Sequence, residues 1–177
     1  CATAGQINGV WQGACYPFRE GLSTGIMNVE FSPKGQLIAG GFTTNRQWPV
    51  RGSEPYALQR LDWPGAVPFE VQEINIKPDG FIVHFTKPID SQISGQPTSY
   101  AITTYDHIYH AAYGSPEVDE TTAQVVKAVP AVDGMSVRLH LAKIELGHIH
   151  EFDIAAMRSS EKKPLLHTKA YYTVNEI

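Results

Sequence analysis

Three clusters in this chain have residue types and spacing suited to chemistry, and each points to a different kind. In Gly147-His148-Ile149-His150 the two imidazoles stand two residues apart. Alternate residues of a strand share a face, so both rings would reach toward one ion such as zinc. Two ligands leave a site incomplete, and His140, Asp153 or His167 would have to supply a third. The other reading is a histidine pair on a rim, satisfied by neighbours or water. Tyr105-Asp106-His107-Ile108-Tyr109-His110 places Tyr105, His107 and Tyr109 on one strand face. A flat aromatic face stacks on the apolar side of a sugar ring, or else forms a core stripe or a docking surface. In the polar stretch from Thr44 to Arg51, Arg46 and Arg51 could meet an anionic substrate or cofactor, with Trp48 walling the pocket. Otherwise the two arginines pin neighbouring segments together. Ser115-Pro116-Glu117-Val118-Asp119-Glu120 is acidic, but it lacks the spaced oxygen ligands and central glycine of a calcium loop, so it reads as a solvated loop. No glycine-rich phosphate loop occurs in the sequence.

The elements that position these residues read as β throughout. Residues 26–31 alternate apolar and polar, Ser32-Pro33-Lys34-Gly35 is a turn, and residues 36–42 return, with Gly40-Gly41 permitting close backbone approach. Residues 56–63 form a third strand. Pro64-Gly65-Ala66-Val67-Pro68 is the clearest boundary, a semi-rigid linker. Strands follow at 69–76, 81–85, 100–109, 124–132, 136–141, 150–154 and 170–174, with turns at Lys77-Pro78-Asp79-Gly80 and Asp133-Gly134. This spacing is that of an antiparallel, immunoglobulin-like β-sandwich over 69–177. Residues 1–63 supply too few strands for a domain and too many apolar side chains for one sheet to bury. They read as a partial β-propeller blade, to be covered by further blades or by another chain.

Composition sets the outer limits. Hydrophobic residues make up 42% of the 177, which supports a packed core. The net charge is −4 and the basic residues are scattered, so a nucleic-acid footprint is not expected. No apolar run approaches the roughly 20 residues of a membrane-spanning helix. The sequence opens on Cys1, as a processed chain, a lipoprotein or a fragment would. Cys15 lies within loop-closing reach of Cys1: either the two form a disulfide, which implies an oxidising compartment, or both are free thiols.

Several motifs carry a resemblance. Gln12-Gly13-Ala14-Cys15-Tyr16-Pro17-Phe18-Arg19, Phe31-Ser32-Pro33-Lys34-Gly35-Gln36-Leu37, Thr44-Asn45-Arg46-Gln47-Trp48 and Pro55-Tyr56-Ala57-Leu58-Gln59-Arg60 resemble the last propeller segment of glucose/sorbosone dehydrogenase-like proteins. Pro68-Phe69-Glu70-Val71, Pro78-Asp79-Gly80-Phe81, Phe85-Thr86-Lys87-Pro88-Ile89-Asp90, Tyr113-Gly114-Ser115-Pro116-Glu117, Gly134-Met135-Ser136-Val137-Arg138-Leu139 and the stretch from Ala170 to Ile177 are similar to the domain that follows that propeller in large secreted bacterial members.

The resemblance implies a parent oxidoreductase using pyrroloquinoline quinone (PQQ) and calcium, secreted or periplasmic, often with a cytochrome c domain or subunit as partner. It does not imply chemistry within this chain. The family's cofactor-facing arginines align with Gly25 and Met27, whose side chains donate no hydrogen bond. Its catalytic histidine belongs to an earlier blade, and no Cys-x-x-Cys-His is present to attach haem. The expectation is a non-catalytic portion serving structural docking and partner contact, with no catalytic residue and no cofactor in this chain. The alternative is a carbohydrate-binding or scaffold module of an extracellular or multi-haem assembly.

Overall fold

Antiparallel pairing joins the strands of the described residues. The computed structural model describes residues 1–43 and 54–177. Its strands, in order, are β1 (Ala2–Ile7), β2 (Val10–Cys15), β3 (Ile26–Phe31), β4 (Leu37–Phe42), β5 (Tyr56–Leu61), β6 (Val71–Lys77), β7 (Gly80–Phe85), β8 (Ala101–His107), β9 (Glu117–Thr122), β10 (Val125–Pro130), β11 (Ser136–Leu141), β12 (Ile149–Asp153) and β13 (Lys169–Thr173). Two short helical turns interrupt them, a 3-10 turn at Pro97–Ser99 and α1 (Ser91–Ser94), the latter capped by the Asp90 carboxylate, which accepts from the N–H groups of Gln92 and Ile93. Among the described residues no helix is long and apolar enough to cross a membrane.

The chain divides into two compact units, Cys1–Phe18 with Val67–Ile177, and Arg19–Ala66. In the first, a six-stranded sheet runs in the order β1-β2-β13-β12-β8-β9 and a four-stranded sheet in the order β10-β11-β7-β6. Every strand pair is antiparallel. The inner faces alternate as the sequence does. Phe81, Val83, Phe85, Val137 and Leu139 of one sheet meet Ile102, Phe152, Ala170 and Tyr172 of the other in one fully buried core. Phe81 is its centre, packing edge-on to Phe152 at 5.1 Å and to Tyr172 at 5.4 Å.

The second boundary of this unit falls between Ala66 and Val67. The assignment of residues 1–63 to a single segment does not survive. Residues 2–15 form a hairpin whose second strand pairs with β13, at Cys15 opposite Tyr171 and Gly13 opposite Thr173. The hairpin turns on Asn8-Gly9, both at positive φ, the geometry of a type I′ turn. Gln12 secures it: its Nε2 donates to the Glu176 carbonyl at 2.8 Å, and its Oε1 accepts from the N–H groups of Asn175 (2.9 Å) and Glu176 (2.7 Å).

Two further expectations change. Residues 117–120, expected within a solvated loop, are strand instead: with Thr121 and Thr122 they form edge strand β9 against β8. The acidic side chains disfavour a strand intrinsically, whereas Val118, Thr121 and Thr122 favour one, and pairing with β8 settles the balance. The strand expected over 100–109 ends at His107.

The second unit is a three-stranded meander, β3-β4-β5. Gly35 closes its first turn at positive φ, with Ser32 N–H on the Gln36 carbonyl at 2.8 Å. At Gly41 a Cβ would lie 2.0 Å from the Gly25 carbonyl oxygen, so the expected close backbone approach is present.

Candidate functional sites

His150 faces inward from β12, completely buried and flanked across the sheet by Thr104 and Tyr172. Neither ring nitrogen reaches a hydrogen-bond partner, and the buried Nδ1 of His148 has none either. Burial lowers the His150 pKa to about 4; the His148 backbone and Glu145 carboxylate oppose that shift without reversing it. The ring is therefore neutral at ordinary pH. The expected third ligands are placed elsewhere. His140 bonds Asp79 at 2.7 Å, His167 bonds Glu70 at 2.6 Å, and Asp153 points to the opposite face of β12 from His150. Among the described residues, no three His, Cys, Asp or Glu side chains gather as metal ligands.

The aromatic triplet is also separated. Tyr105 and His107 touch, with ring centroids 5.5 Å apart. Tyr105 is only 6% exposed, whereas Tyr109 lies beyond the strand end and is fully exposed. A coplanar stacking platform of these three does not form. Its place is taken by a loop tip carrying Tyr109 and Tyr113, both open to solvent.

Arg46, Trp48 and Arg51 lie outside the described residues. Cys1 and Cys15 are both free and exposed. The register explains why they do not bond. Cys1 stands opposite Tyr16, exchanging both backbone hydrogen bonds with it, and Cys15 stands opposite Ala2. An offset of one residue turns the two Cβ atoms to opposite faces of the sheet. Met27, at one of the two positions aligned with cofactor-facing arginines, is largely exposed on β3.

Several polar contacts were not foreseen. Asp79, in the turn between β6 and β7, holds both Arg138 and His140 of β11 on the outer face of the four-stranded sheet. Asp90 contacts Lys162, which with the helical cap holds its carboxyl below the usual range. Glu70 ties the start of β6 to His167. Their partners lie far apart in sequence, so only the Asp90 cap had a local signal, an acidic residue directly before a short turn.

The most unusual surface belongs to the three-stranded sheet. Register places Phe42, Tyr56, Leu58 and Ile38 on one face and Val29, Phe31, Leu37 and Leu61 on the other. Leu58 is 79% exposed on the first face and Phe31 is 72% exposed on the second.

No family model, curated protein or solved structure matches this chain.

Proposed function

We propose that this chain is a non-catalytic portion of a secreted or periplasmic oxidoreductase-like protein of the quinone-dependent sugar or polyol type, serving as a docking region. In this reading the three-stranded sheet is part of a propeller blade, and its occupants are neighbouring β-sheets of the same architecture. The observation that carries it is the two-sided apolar surface of β3-β4-β5, with Leu58 outward on one face and Phe31 on the other. A surface sheet ordinarily has one polar face; a blade is covered on both. Exposed apolar area of this kind marks an interaction surface. Motif resemblance supplies the quinone-enzyme context, PQQ and calcium belonging to the parent. Gly25 and Met27 argue against cofactor binding here. A sugar-binding module has less support, because Tyr105 is buried while Tyr109 stands apart.

Two measurements on the whole chain test this. Quinone, calcium, a simple sugar and a redox dye should give no dye reduction; turnover would overturn the non-catalytic assignment. Binding of an apolar fluorescent dye should fall in Phe31→Asp and in Leu58→Asp, and fall further in the double variant. Complete loss from either single change would make the surface one-sided and remove the blade reading.

A further inference from the structure

We infer that β1 is a pairing edge for a second copy of this chain, joining two six-stranded sheets antiparallel across a two-fold axis at Ala4. The first observation is which edges of this unit are guarded. Its two sheets end in β1, β9, β10 and β6. Strand β9 carries Glu117, Asp119 and Glu120, with Asp119 at positive φ, and its register shifts against β8. Strand β10 carries Lys127 and Pro130 and shifts register against β11; β6 carries Glu73 and Lys77 and shifts against β7. Charges, prolines and bulges are the devices that keep sheet edges from pairing. Strand β1, Ala-Thr-Ala-Gly-Gln-Ile, has none of them and keeps unbroken register with β2.

The second observation is where its free backbone groups point. Cys1 and Tyr16 exchange both backbone hydrogen bonds. Antiparallel pairs alternate between bonded and non-bonded, so Thr3, Gly5 and Ile7 also bond to β2. Ala2, Ala4 and Gln6 therefore turn their N–H and C=O groups to the open edge. These three positions are symmetric about Ala4. Two copies related by a two-fold axis there pair Ala4 with Ala4 and Ala2 with Gln6, and every outward group finds a partner. A closed isologous interface needs this self-complementarity.

Side chains permit the approach. Thr3 would face Gly5, and no like charges would meet, since β1 contains no Asp, Glu, Lys or Arg. Beside β1 lies a cleft lined by Thr3, Ala4, Gly5, Ile7, Glu73 and Lys77, which leaves room for inward-facing residues of the second copy.

The test is sedimentation of the whole chain from about 5 to about 500 µM, the range where a small interface dissociates. A concentration-dependent shift from monomer to dimer is expected. Ala4→Pro should abolish it, because Pro removes an N–H that points away from β2 and is tolerated on an edge. Amide protection at Thr3 and Gly5 in that variant confirms that the hairpin is intact. Ala4→Lys, which sets like charges face to face, should abolish it too. Ala4→Cys with Cys1→Ser and Cys15→Ser should cross-link as a disulfide dimer, since paired Cα atoms about 5.5 Å apart suit the bond. A monomer at every concentration overturns the proposal. So does a dimer that persists unchanged in Ala4→Pro, which would assign association to another surface such as Phe31 and Leu58.

Discussion

His150 and Phe81 pack ring against ring in the core, centroids 5.3 Å apart, and neither is accessible to solvent. The imidazole thus occupies a site suited to an apolar ring, with its nitrogens unsatisfied. This makes the fold acid-sensitive. The folded-state pKa is about 4 and the unfolded value 6.5. Between those values the unfolded chain binds the proton and the folded chain does not, so stability falls as pH drops from 6.5 toward 4. The shift corresponds to roughly 3 kcal/mol. Urea unfolding at pH 7.5, 5.5 and 4.5 should show that decline, and His150→Leu should flatten it. Equal pH dependence in both proteins would contradict the assignment.

Gly13 predicts a steric failure. A Cβ at this position would lie 2.0 Å from the Thr3 carbonyl oxygen and 2.8 Å from the Ala4 Cα. Both are backbone atoms of the paired strand, so Gly13→Ala must push β1 away from β2. The expected cost is about 1–3 kcal/mol. Hydrogen exchange should show lost protection at Thr3 and Gly5 while Val83 and Leu139 stay protected. Unchanged exchange at Thr3 would refute this.

Gln12 predicts a polar one. Its side chain is buried and answers the N–H groups of both Asn175 and Glu176. Gln12→Leu leaves those donors without their acceptor, for an expected loss of about 1–3 kcal/mol. The same loss at Gln6, whose side chain is exposed, is not expected. Thermal unfolding of the two variants in parallel distinguishes them.

Cys1 and Cys15 should both react with a thiol reagent in the native, unreduced protein. Reaction of neither, with recovery after reduction, would show that the two strands shift to bring the sulfurs onto one face.

Much of the core was legible before any coordinates. The alternation in Phe81, Val83, Phe85 and in Val137, Leu139 puts those side chains inward, and they are completely or almost completely buried. Ile74 and Phe152 follow the same rule, while Val71, beside the register shift of β6, is only half-buried. The hairpin of residues 2–15 was missed, although Asn8-Gly9 is a strong local turn signal. Its seat was not marked, because nothing in those residues names β13 as their neighbour. Tyr109 shows the opposite failure: alternation was projected past the end of a real strand. For His148 and His150 alternation was extended before the start of β12, which begins at Ile149, and periodicity does not distinguish the rim from the core. The Asp79, Arg138 and His140 contacts depend on register between distant strands, which composition does not encode.

The seam between β2 and β13 also orders events in time. Gln12 and Tyr172 meet across 160 residues of chain. A lone two-stranded hairpin is marginal in water, so residues 2–15 have no strand to pair with until β13 has been made. On a ribosome, where chains emerge sequentially, the hairpin waits until β13 has followed it. Strands β1 and β2 are then made before the rest of this unit yet locked into it only with β13, and a nascent chain arrested before β13 would carry them loose.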